Sequence, residues 1–261
     1  MTGQTASQRP RLVLVHGWAQ HAGIWQAWRE RLAPIADMTA VDLPGHGGTP
    51  WKNAIRSLDA LADSVLPALE QPAALCGWSL GGMIAMNLAR RHPSRVTRLV
   101  LCNTTPRFVA GHDWIHAVQP SLVEGFRRRV SENPERVLRD FLSLQLRGES
   151  DSRQTLTLLR SALTDQNRPR AAALEFTLSL LAQTDLRDEL AAIAPPTLVI
   201  ASDADAITPL AAGEYLARQL PDARLLTVTG CGHAGFLSRP ERLSPGIDEC
   251  LGGDSVQEMA S

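Results

Sequence analysis

Residues 73 to 92 read AALCGWSLGGMIAMNLARRH, and this stretch decides the fold. It opens with an apolar run typical of a buried strand, and from Leu80 onward apolar side chains follow helical spacing until His92 and Pro93 end the pattern. Between the two lies Gly77-Trp78-Ser79-Leu80-Gly81, a G-x-S-x-G motif in the strand-turn-helix context that makes it informative. A reversal this sharp strains the serine and leaves no room for a Cβ at residues 77 and 81. We therefore predict that Ser79 is an exposed nucleophile at a helix N-terminus, the alternative being a structural serine in a glycine-rich turn.

Other apolar runs on both sides of this motif end abruptly in polar or glycine residues, as buried parallel strands do. They are Arg11 to Val15, Met38 to Val41, Val96 to Cys102, Pro196 to Ala201 and Arg224 to Thr229. Helical patterns separate them, which predicts an α/β fold with a mostly parallel central sheet flanked by helices. From 106 to 185 the alternation gives way to arginine-rich helical stretches. We predict a core at 1–105 and 186–251, an inserted helical cap at 106–185, and a flexible tail at 252–261.

The composition is that of one globular domain. Of 261 residues, 44% are hydrophobic and 20% charged, and 26 Lys+Arg against 27 Asp+Glu give a formal net charge of −1. These values exclude wholesale disorder and argue against a nucleic-acid-binding protein. No apolar run opens the sequence and none reaches about 18 residues, so we expect neither secretion nor membrane insertion. Four scattered cysteines without a C-x-x-C pair favour a reducing, cytoplasmic compartment.

A serine nucleophile needs a general base and a group that orients the base. Candidates follow the last two predicted strands: Asp205 lies in SDADAITP at 202–209, and His233 lies in GCGHAGF at 230–236. The chain order Ser, Asp, His is the one that accompanies this motif. The Ile-Thr-Pro turn after Asp205 favours that residue, while Asp203 stays open as the orienting acid or as a loop cap. For His233 the alternative is a surface histidine.

His16-Gly17-Trp18 follows the first predicted strand, where a turn can supply a backbone donor to a developing oxyanion. We predict that the N–H groups of Trp18 and Leu80 form this oxyanion hole. Core packing is the alternative role for Trp18, and its indole can line a pocket while its amide donates. The remaining histidines show no metal-ligand spacing, so we expect neither a metal nor an organic cofactor.

Four motifs resemble those of the α/β-hydrolase superfamily, over nearly the whole chain. They are HGW at 16–18, DLPGHG at 42–47, GWSLGG at 77–82 and GHAGF at 232–236. More narrowly, the sequence resembles the pimeloyl-[acyl-carrier protein] methyl ester carboxylesterases of biotin synthesis, the BioH-type esterases. That resemblance is carried by GWSLGG, Asp113-Trp114 with Gly125-Phe126, FLSLQ at 141–145 and TDLR at 184–187.

The resemblance implies hydrolysis of the methyl ester at the far end of a pimeloyl chain carried on acyl-carrier protein, giving methanol and no need of a cofactor. It also implies that Phe141 and Gln145 contact the substrate, and that Arg136 and Arg153 contact the acidic carrier. From its position in the turn after the first strand, we expect Trp18 to contact the substrate as well. We expect a monomer that also accepts small esters, with no nucleic-acid or membrane partner.

Other functions stay open at the level of the residues. Arginines crowd residues 127–160 but alternate with Glu and Asp, which also fits a solvated helix face. Fold and nucleophile do not identify the acyl group, so a general short-chain carboxylesterase, a lactonase or a carbon–carbon hydrolase is possible on the same scaffold. A non-catalytic ligand receptor is the alternative of another class.

Overall fold

A computed structural model describes residues 9–149, 152–162 and 167–252. Within these residues, six strands form one sheet in the order β2-β1-β3-β4-β5-β6. All five pairings are parallel. The strands are β1 Arg11–Val15, β2 Asp37–Val41, β3 Ala73–Trp78, β4 Val96–Cys102, β5 Thr197–Ser202 and β6 Ala223–Val228.

Helices connect the strands and cover both faces of the sheet. The α-helices are α1 Gln26–Leu32, α2 Leu58–Asp63, α3 Leu80–Arg91, α4 Pro120–Val130, α5 Pro134–Gln145, α6 Ser152–Ala162, α7 Ala171–Gln183, α8 Leu210–Gln219, α9 Gly235–Ser238 and α10 Pro240–Gly252. Short 3-10 helices occupy Ala22–Trp25, Leu66–Leu69 and Arg187–Ala192. The predicted α/β-hydrolase fold, with a parallel sheet between helices, is confirmed.

Strand alternation divides the hydrophobic core between the two faces of the sheet. In β1, Val13 and Val15 pack into one cluster, whereas Leu12 and Leu14 pack into the other. Every residue of β3 is buried, as expected of a central strand with helices on both faces. This central position places the carboxyl end of β3, where Ser79 lies, in the middle of the sheet edge.

The chain between β4 and β5 carries α4 to α7, and we call residues 106–185 the cap. Its two ends meet. The Leu186 N–H donates to the Pro106 carbonyl over 2.9 Å, and Arg107 and Asp185 form an isolated antiparallel β-bridge. An ion cluster lies at this junction. Arg187 binds Asp113 and Asp185, each at 2.7 Å. The bounds 106 and 185 therefore coincide with a physical junction, and we propose that the cap is a separate substrate-covering unit.

Two further expectations concerned the C-terminal tail and insertion into a membrane. The flexible tail was expected at 252–261, but Gly252 is the last residue of α10, and the rest of the expected tail lies outside the described residues. Among the helices that the structure describes, none has the length and hydropathy needed to cross a bilayer.

Candidate active site

The turn from β3 to α3 holds Ser79 in the left-handed region, with φ 55° and ψ −118°. A Cβ on Gly77 would lie 2.1 Å from the Gly81 carbonyl oxygen, and a Cβ on Gly81 would lie 2.3 Å from that of Val15. Both distances are far inside van der Waals contact, so glycine is required at both positions. The Thr104 hydroxyl donates to the Ser79 carbonyl over 2.7 Å, which helps to hold the strained turn.

Ser79 is buried rather than exposed, with 5% of its surface accessible. That figure belongs to the whole residue, and Ser79 Oγ is not among the fully buried side-chain atoms without a partner, so exposure of the hydroxyl stays a prediction. The cap lies close to the turn through its contacts with Trp18. Phe141 of α5 meets the Trp18 ring edge-on at 4.7 Å, and the Trp18 indole donates to the Leu174 carbonyl of α7 over 3.2 Å.

His233 follows β6, and its Nδ1 lies 2.8 Å from Asp205 Oδ2, with both side chains fully buried. The alternative of a surface histidine is excluded. The His233 carbonyl accepts from the Trp78 indole over 3.0 Å, which ties the histidine loop to the residue before Ser79. His233 Nε2 is buried and has no hydrogen-bond partner among the described residues. An unpartnered imidazole nitrogen beside the nucleophile turn is suited to accept a proton.

Four donors besides His233 converge on the Asp205 carboxylate. The backbone N–H groups of Ile207 and Thr208 donate to Oδ1 over 2.7 and 2.9 Å. The Asn103 amide and the Thr208 hydroxyl donate to Oδ2 over 2.8 and 2.6 Å. Burial alone would raise the pKa of Asp205, but its electrostatic interaction with the His233 ring and the side-chain hydrogen bonds that it accepts lower it below its ordinary value. Asp205 is therefore held as a carboxylate.

Asp203, the other candidate acid, binds the backbone of the loop before His233 instead of the imidazole ring. Its Oδ1 accepts from the Gly230 N–H over 2.8 Å and so caps the loop that leads to His233. Asp205 alone of the two contacts the imidazole among the described contacts. The geometry supports Asp205 as the orienting acid, and the functional role stays a prediction.

The two expected oxyanion donors flank the nucleophile. Leu80 is the first residue of the twelve-residue helix α3, so its N–H is not used within the helix. Gly17, which precedes Trp18, packs directly on the serine, since a Cβ on Gly17 would lie 3.1 Å from Ser79 Cβ. Neither N–H donates to a protein group among the described hydrogen bonds. Both are available to an oxyanion formed at Ser79.

Cap residues and Trp18 enclose a narrow apolar crevice. Its lining is Trp18, Phe108, Val118, Leu122, Val123, Phe126, Phe141, Leu144, Leu178 and Leu181. Trp18 and Phe141, two of the residues expected to contact the substrate, lie here, and the contact itself stays a prediction. Gln145 is fully buried, its backbone carbonyl accepts from the His233 N–H over 3.2 Å, and both atoms of its side-chain amide lack a described partner. An unpaired buried amide next to the loop that carries His233 is chemically able to hydrogen-bond a substrate carbonyl.

Arg136 and Arg153 lie on the exposed faces of α5 and α6, away from the buried acid and histidine. Within the described residues neither has a carboxylate partner, whereas Arg129 binds Asp140 at 2.7 Å. Their guanidinium groups are therefore free to meet an acidic partner.

A family model for the alpha/beta hydrolase fold matches residues 10–240. The chain belongs to this family. A protein from Aromatoleum aromaticum, named pimeloyl-[acyl-carrier protein] methyl ester esterase, is 42% identical over 250 residues, covering 94% of this chain and 99% of that protein. A protein of the same name from Nitrosomonas europaea is 38% identical over 239 residues, covering 92% and 94%.

Solved structures agree on the fold of this alpha/beta hydrolase. An esterase from Exiguobacterium antarcticum matches with a TM-score of 0.85 at 19% identity, covering 94% of this chain and 92% of that one. An enol-lactonase from Burkholderia xenovorans LB400 matches with a TM-score of 0.81 at 21% identity, covering 96% and 94%. At these identities the likeness concerns the fold alone.

Sequence analysis missed several residues that support the site. Asn103 and Thr208 bind Asp205, and Glu149 accepts the Gly232 N–H over 3.0 Å, one residue before His233. Asn103 directly follows β4, which is the one signal that could have indicated it. His16 and His46 are distant in sequence yet their rings lie 5.2 Å apart. No cluster of metal-ligating side chains occurs in the part of the chain that the structure describes.

The cysteines near the site are buried and unreactive in character. Burial raises the pKa of Cys76 and of Cys102 well above the ordinary value for a thiol. Cys231, two residues before His233, is buried as well. These positions favour packing over nucleophilic chemistry.

Proposed function

We propose that this protein is a serine esterase that hydrolyses the methyl ester of a pimeloyl chain carried on acyl-carrier protein, releasing methanol, in the synthesis of biotin. The observation that carries the proposal is the match with proteins named for this reaction at 34–42% identity over nearly the full chain. The arrangement of Ser79, Asp205 and His233 supports the ester hydrolysis itself.

In the first half-reaction His233 Nε2 accepts the Ser79 proton while Oγ bonds to the ester carbonyl carbon. The carbonyl oxygen becomes an oxyanion, which the N–H groups of Trp18 and Leu80 stabilise. The bond from carbon to the methoxy oxygen then breaks, and His233 donates its proton to form methanol. Asp205 stabilises the charged imidazole throughout and stays ionised, as its lowered pKa favours.

In the second half-reaction water attacks the acyl-serine. His233 takes a proton from the water as its oxygen bonds to the acyl carbon, and the oxyanion hole is used again. The bond from carbon to Ser79 Oγ breaks, Oγ regains the proton from His233, and the free carboxylic acid leaves. No metal or organic cofactor takes part in either step.

Selectivity has to be positional, because the carrier-bound substrate also contains a thioester. The apolar lining of the crevice under the cap suits a methylene chain, which would have to open the crevice to enter it. About five methylenes at roughly 0.8 kcal/mol each would contribute about 4 kcal/mol of binding, as an upper figure. Gln145 would bind a polar group at the chain terminus. Holding the chain in this direction brings the distal ester to Ser79 and keeps the thioester away from it.

The carrier itself would bind outside the crevice. We infer that Arg136 and Arg153 contact its acidic surface, since both are exposed and free of described ion pairs. We also infer a monomer in the cytoplasm, where an acyl-carrier protein is available.

Complementation tests the biological role. Expression in a bacterial strain that needs biotin because it lacks this esterase should restore growth, and the Ser79→Ala variant should not. If neither grows while the purified protein cleaves short esters, the general esterase replaces the biotin-pathway assignment. Growth with Ser79→Ala would contradict the serine mechanism.

Carrier dependence is tested with purified components. The kcat/KM for the carrier-bound methyl ester should exceed that for the free dimethyl ester, and replacing both Arg136 and Arg153 by Glu should raise KM only for the carrier-bound ester. The free ester is the internal control for folding and chemistry. Equal kcat/KM with and without the carrier would refute the carrier contact.

A further inference from the structure

The ring of His16, fully buried at the end of β1, is held at both nitrogens. The Leu43 N–H donates to Nε2 over 3.0 Å. On the opposite side, Nδ1 lies 2.8 Å from the carbonyl oxygen of Gly17, the next residue in the chain. The proposed mechanism does not use the side chain of this histidine.

These two contacts decide where the ring proton lies. Since the Leu43 N–H points at Nε2, that nitrogen must present its lone pair, so the proton of a neutral ring lies on Nδ1 and is donated to the Gly17 carbonyl. A charged ring would direct an Nε2–H against the Leu43 N–H. Burial, with the added effect of His46, holds the pKa of His16 well below its ordinary value, in agreement with a neutral ring.

The Gly17 carbonyl and the Trp18 N–H belong to the same peptide unit. In a trans peptide these two groups point in opposite directions, and the structure contains no cis peptide among the residues it describes. A carbonyl held by His16 therefore turns the Trp18 N–H away from the His16 ring. The same peptide packs on the nucleophile turn, with Gly17 against Ser79.

We propose that His16 is a positioning residue for the oxyanion hole: its Nδ1–H fixes the Gly17–Trp18 peptide so that the Trp18 N–H faces the oxyanion formed at Ser79. The inference rests on the proposed function, because the orientation of this amide matters only if acyl transfer occurs at Ser79. His16 acts through the peptide and does not touch the reacting atoms.

The two contacts of His16 carry different roles and can be separated. The contact with Leu43 ties the end of β1 to the loop after β2 and is scaffolding. The contact with Gly17 sets the direction of the amide. A weaker bond from the Gln20 N–H, at 3.3 Å, also reaches the Gly17 carbonyl, so loss of His16 should misalign the peptide without releasing it fully.

Two amide variants remove one contact each. In His16→Asn the side-chain nitrogen is as many bonds from the backbone as Nδ1, so it can still donate to Gly17 but cannot accept from Leu43. In His16→Gln the side-chain oxygen corresponds to Nε2, so it can accept from Leu43 while the donor to Gly17 is lost. The experiment measures kcat and KM for p-nitrophenyl butyrate, with rates divided by the titrated concentration of active sites.

We expect His16→Gln to lower kcat about tenfold or more, below the 10²–10³-fold that complete loss of an oxyanion donor costs, with KM changed less than about twofold. His16→Asn should keep kcat within about threefold of the wild type, although it is the variant that loses the Leu43 bond. A purely structural histidine would give the opposite order or equal losses, and either result overturns the proposal.

A second measurement tests the proposal on the wild-type protein and does not require that a variant folds. Imidazole ¹⁵N shifts of the wild-type protein, assigned through bonds from the His16 backbone resonances, should show the His16 proton on Nδ1 at neutral pH. A proton on Nε2 overturns the proposal. If the wild type itself does not hydrolyse the ester, the proposed function fails, and that result is distinct from an active wild type whose His16→Gln variant keeps its kcat.

Discussion

Two regions of the molecule meet at Ser79, and different forces hold them. At the carboxyl edge of the sheet, the Asp205 carboxylate accepts from His233 and from the other donors around it, each at hydrogen-bond distance. In the cap, apolar side chains line a crevice and the arginines lie outside. Hydrogen bonds fix direction, whereas apolar packing fixes only shape and volume. The edge should therefore determine whether a bond is cleaved, and the cap which ester is chosen.

Removing the nucleophile should have the largest effect. Ser79→Ala should lower kcat by at least about 10⁴-fold for every ester, because the covalent intermediate can no longer form. Steady-state kinetics with p-nitrophenyl acetate and butyrate measures the loss, and circular dichroism checks the fold. Residual activity within tenfold of the wild type would mean that another group attacks the ester.

The two aspartates after β5 give a matched pair. Asp205→Asn should lower kcat by about 10⁴-fold, because the amide no longer fixes the tautomer and charge of His233. Asp203→Asn should stay within about threefold, since an amide oxygen can still accept from the Gly230 N–H. Kinetics at a single pH near neutrality compares the two. A larger loss in Asp203→Asn would transfer the orienting role to that residue.

Changes in the crevice should act on selectivity rather than on chemistry. Phe141→Leu should lower kcat/KM for p-nitrophenyl hexanoate about three- to tenfold and leave the acetate ester within about twofold, since only the longer chain reaches the crevice. Leu142→Met is the control, because Leu142 lies next to Phe141 on α5 but packs into the other hydrophobic cluster. Equal losses for both esters would place Phe141 in the chemistry and not in chain binding.

The ion cluster at the base of the cap should give the smallest effect. A hydrogen bond from Arg187, aided by the charge of Arg107, lowers the pKa of Asp113 to about 2. A carboxyl with a lowered pKa in the folded state stabilises that state at neutral pH, and the stabilisation is lost as the pH falls below about 4 toward 2. Asp113→Asn should lower Tm by about 1–2 °C at pH 7, because the pair is solvent-exposed.

The pH dependence provides the check on this last prediction. The difference in Tm between wild type and Asp113→Asn should shrink as the pH is lowered toward 3. Asp222→Asn, an exposed position whose side chain makes no ion pair among those described, should show no such trend. A difference that grows on acidification would have the wrong sign for a carboxylate stabilised by Arg187.

The contrast between the sheet edge and the cap also explains which features could be predicted from the sequence. The strands and the Ser79 turn were predictable because apolar runs, glycines and a serine at fixed spacing are local consequences of the backbone. Asp205 and His233 could be found because parallel strands bring their carboxyl ends to one edge. Asn103 could not, since its role depends on a contact with Asp205, 102 residues further along the chain.

The cap was less predictable for a physical reason. Many apolar sequences can line a crevice, so Phe141 and Gln145 were identified only through resemblance to a family. The contacts of Trp18 with the cap were also missed, because they result from docking of the cap on the sheet edge rather than from the turn itself. His16 and His46 looked scattered along the chain and meet only in the folded protein.

Labelling with a fluorophosphonate tests the central claim most directly, because the reagent reports an activated serine whatever the natural ester is. Mass spectrometry of the digested protein should find one adduct, on Ser79, and the His233→Ala variant should be labelled at least about 10³-fold more slowly. An adduct on another residue, or an unchanged rate in His233→Ala, would contradict the account of a hydroxyl activated by this histidine.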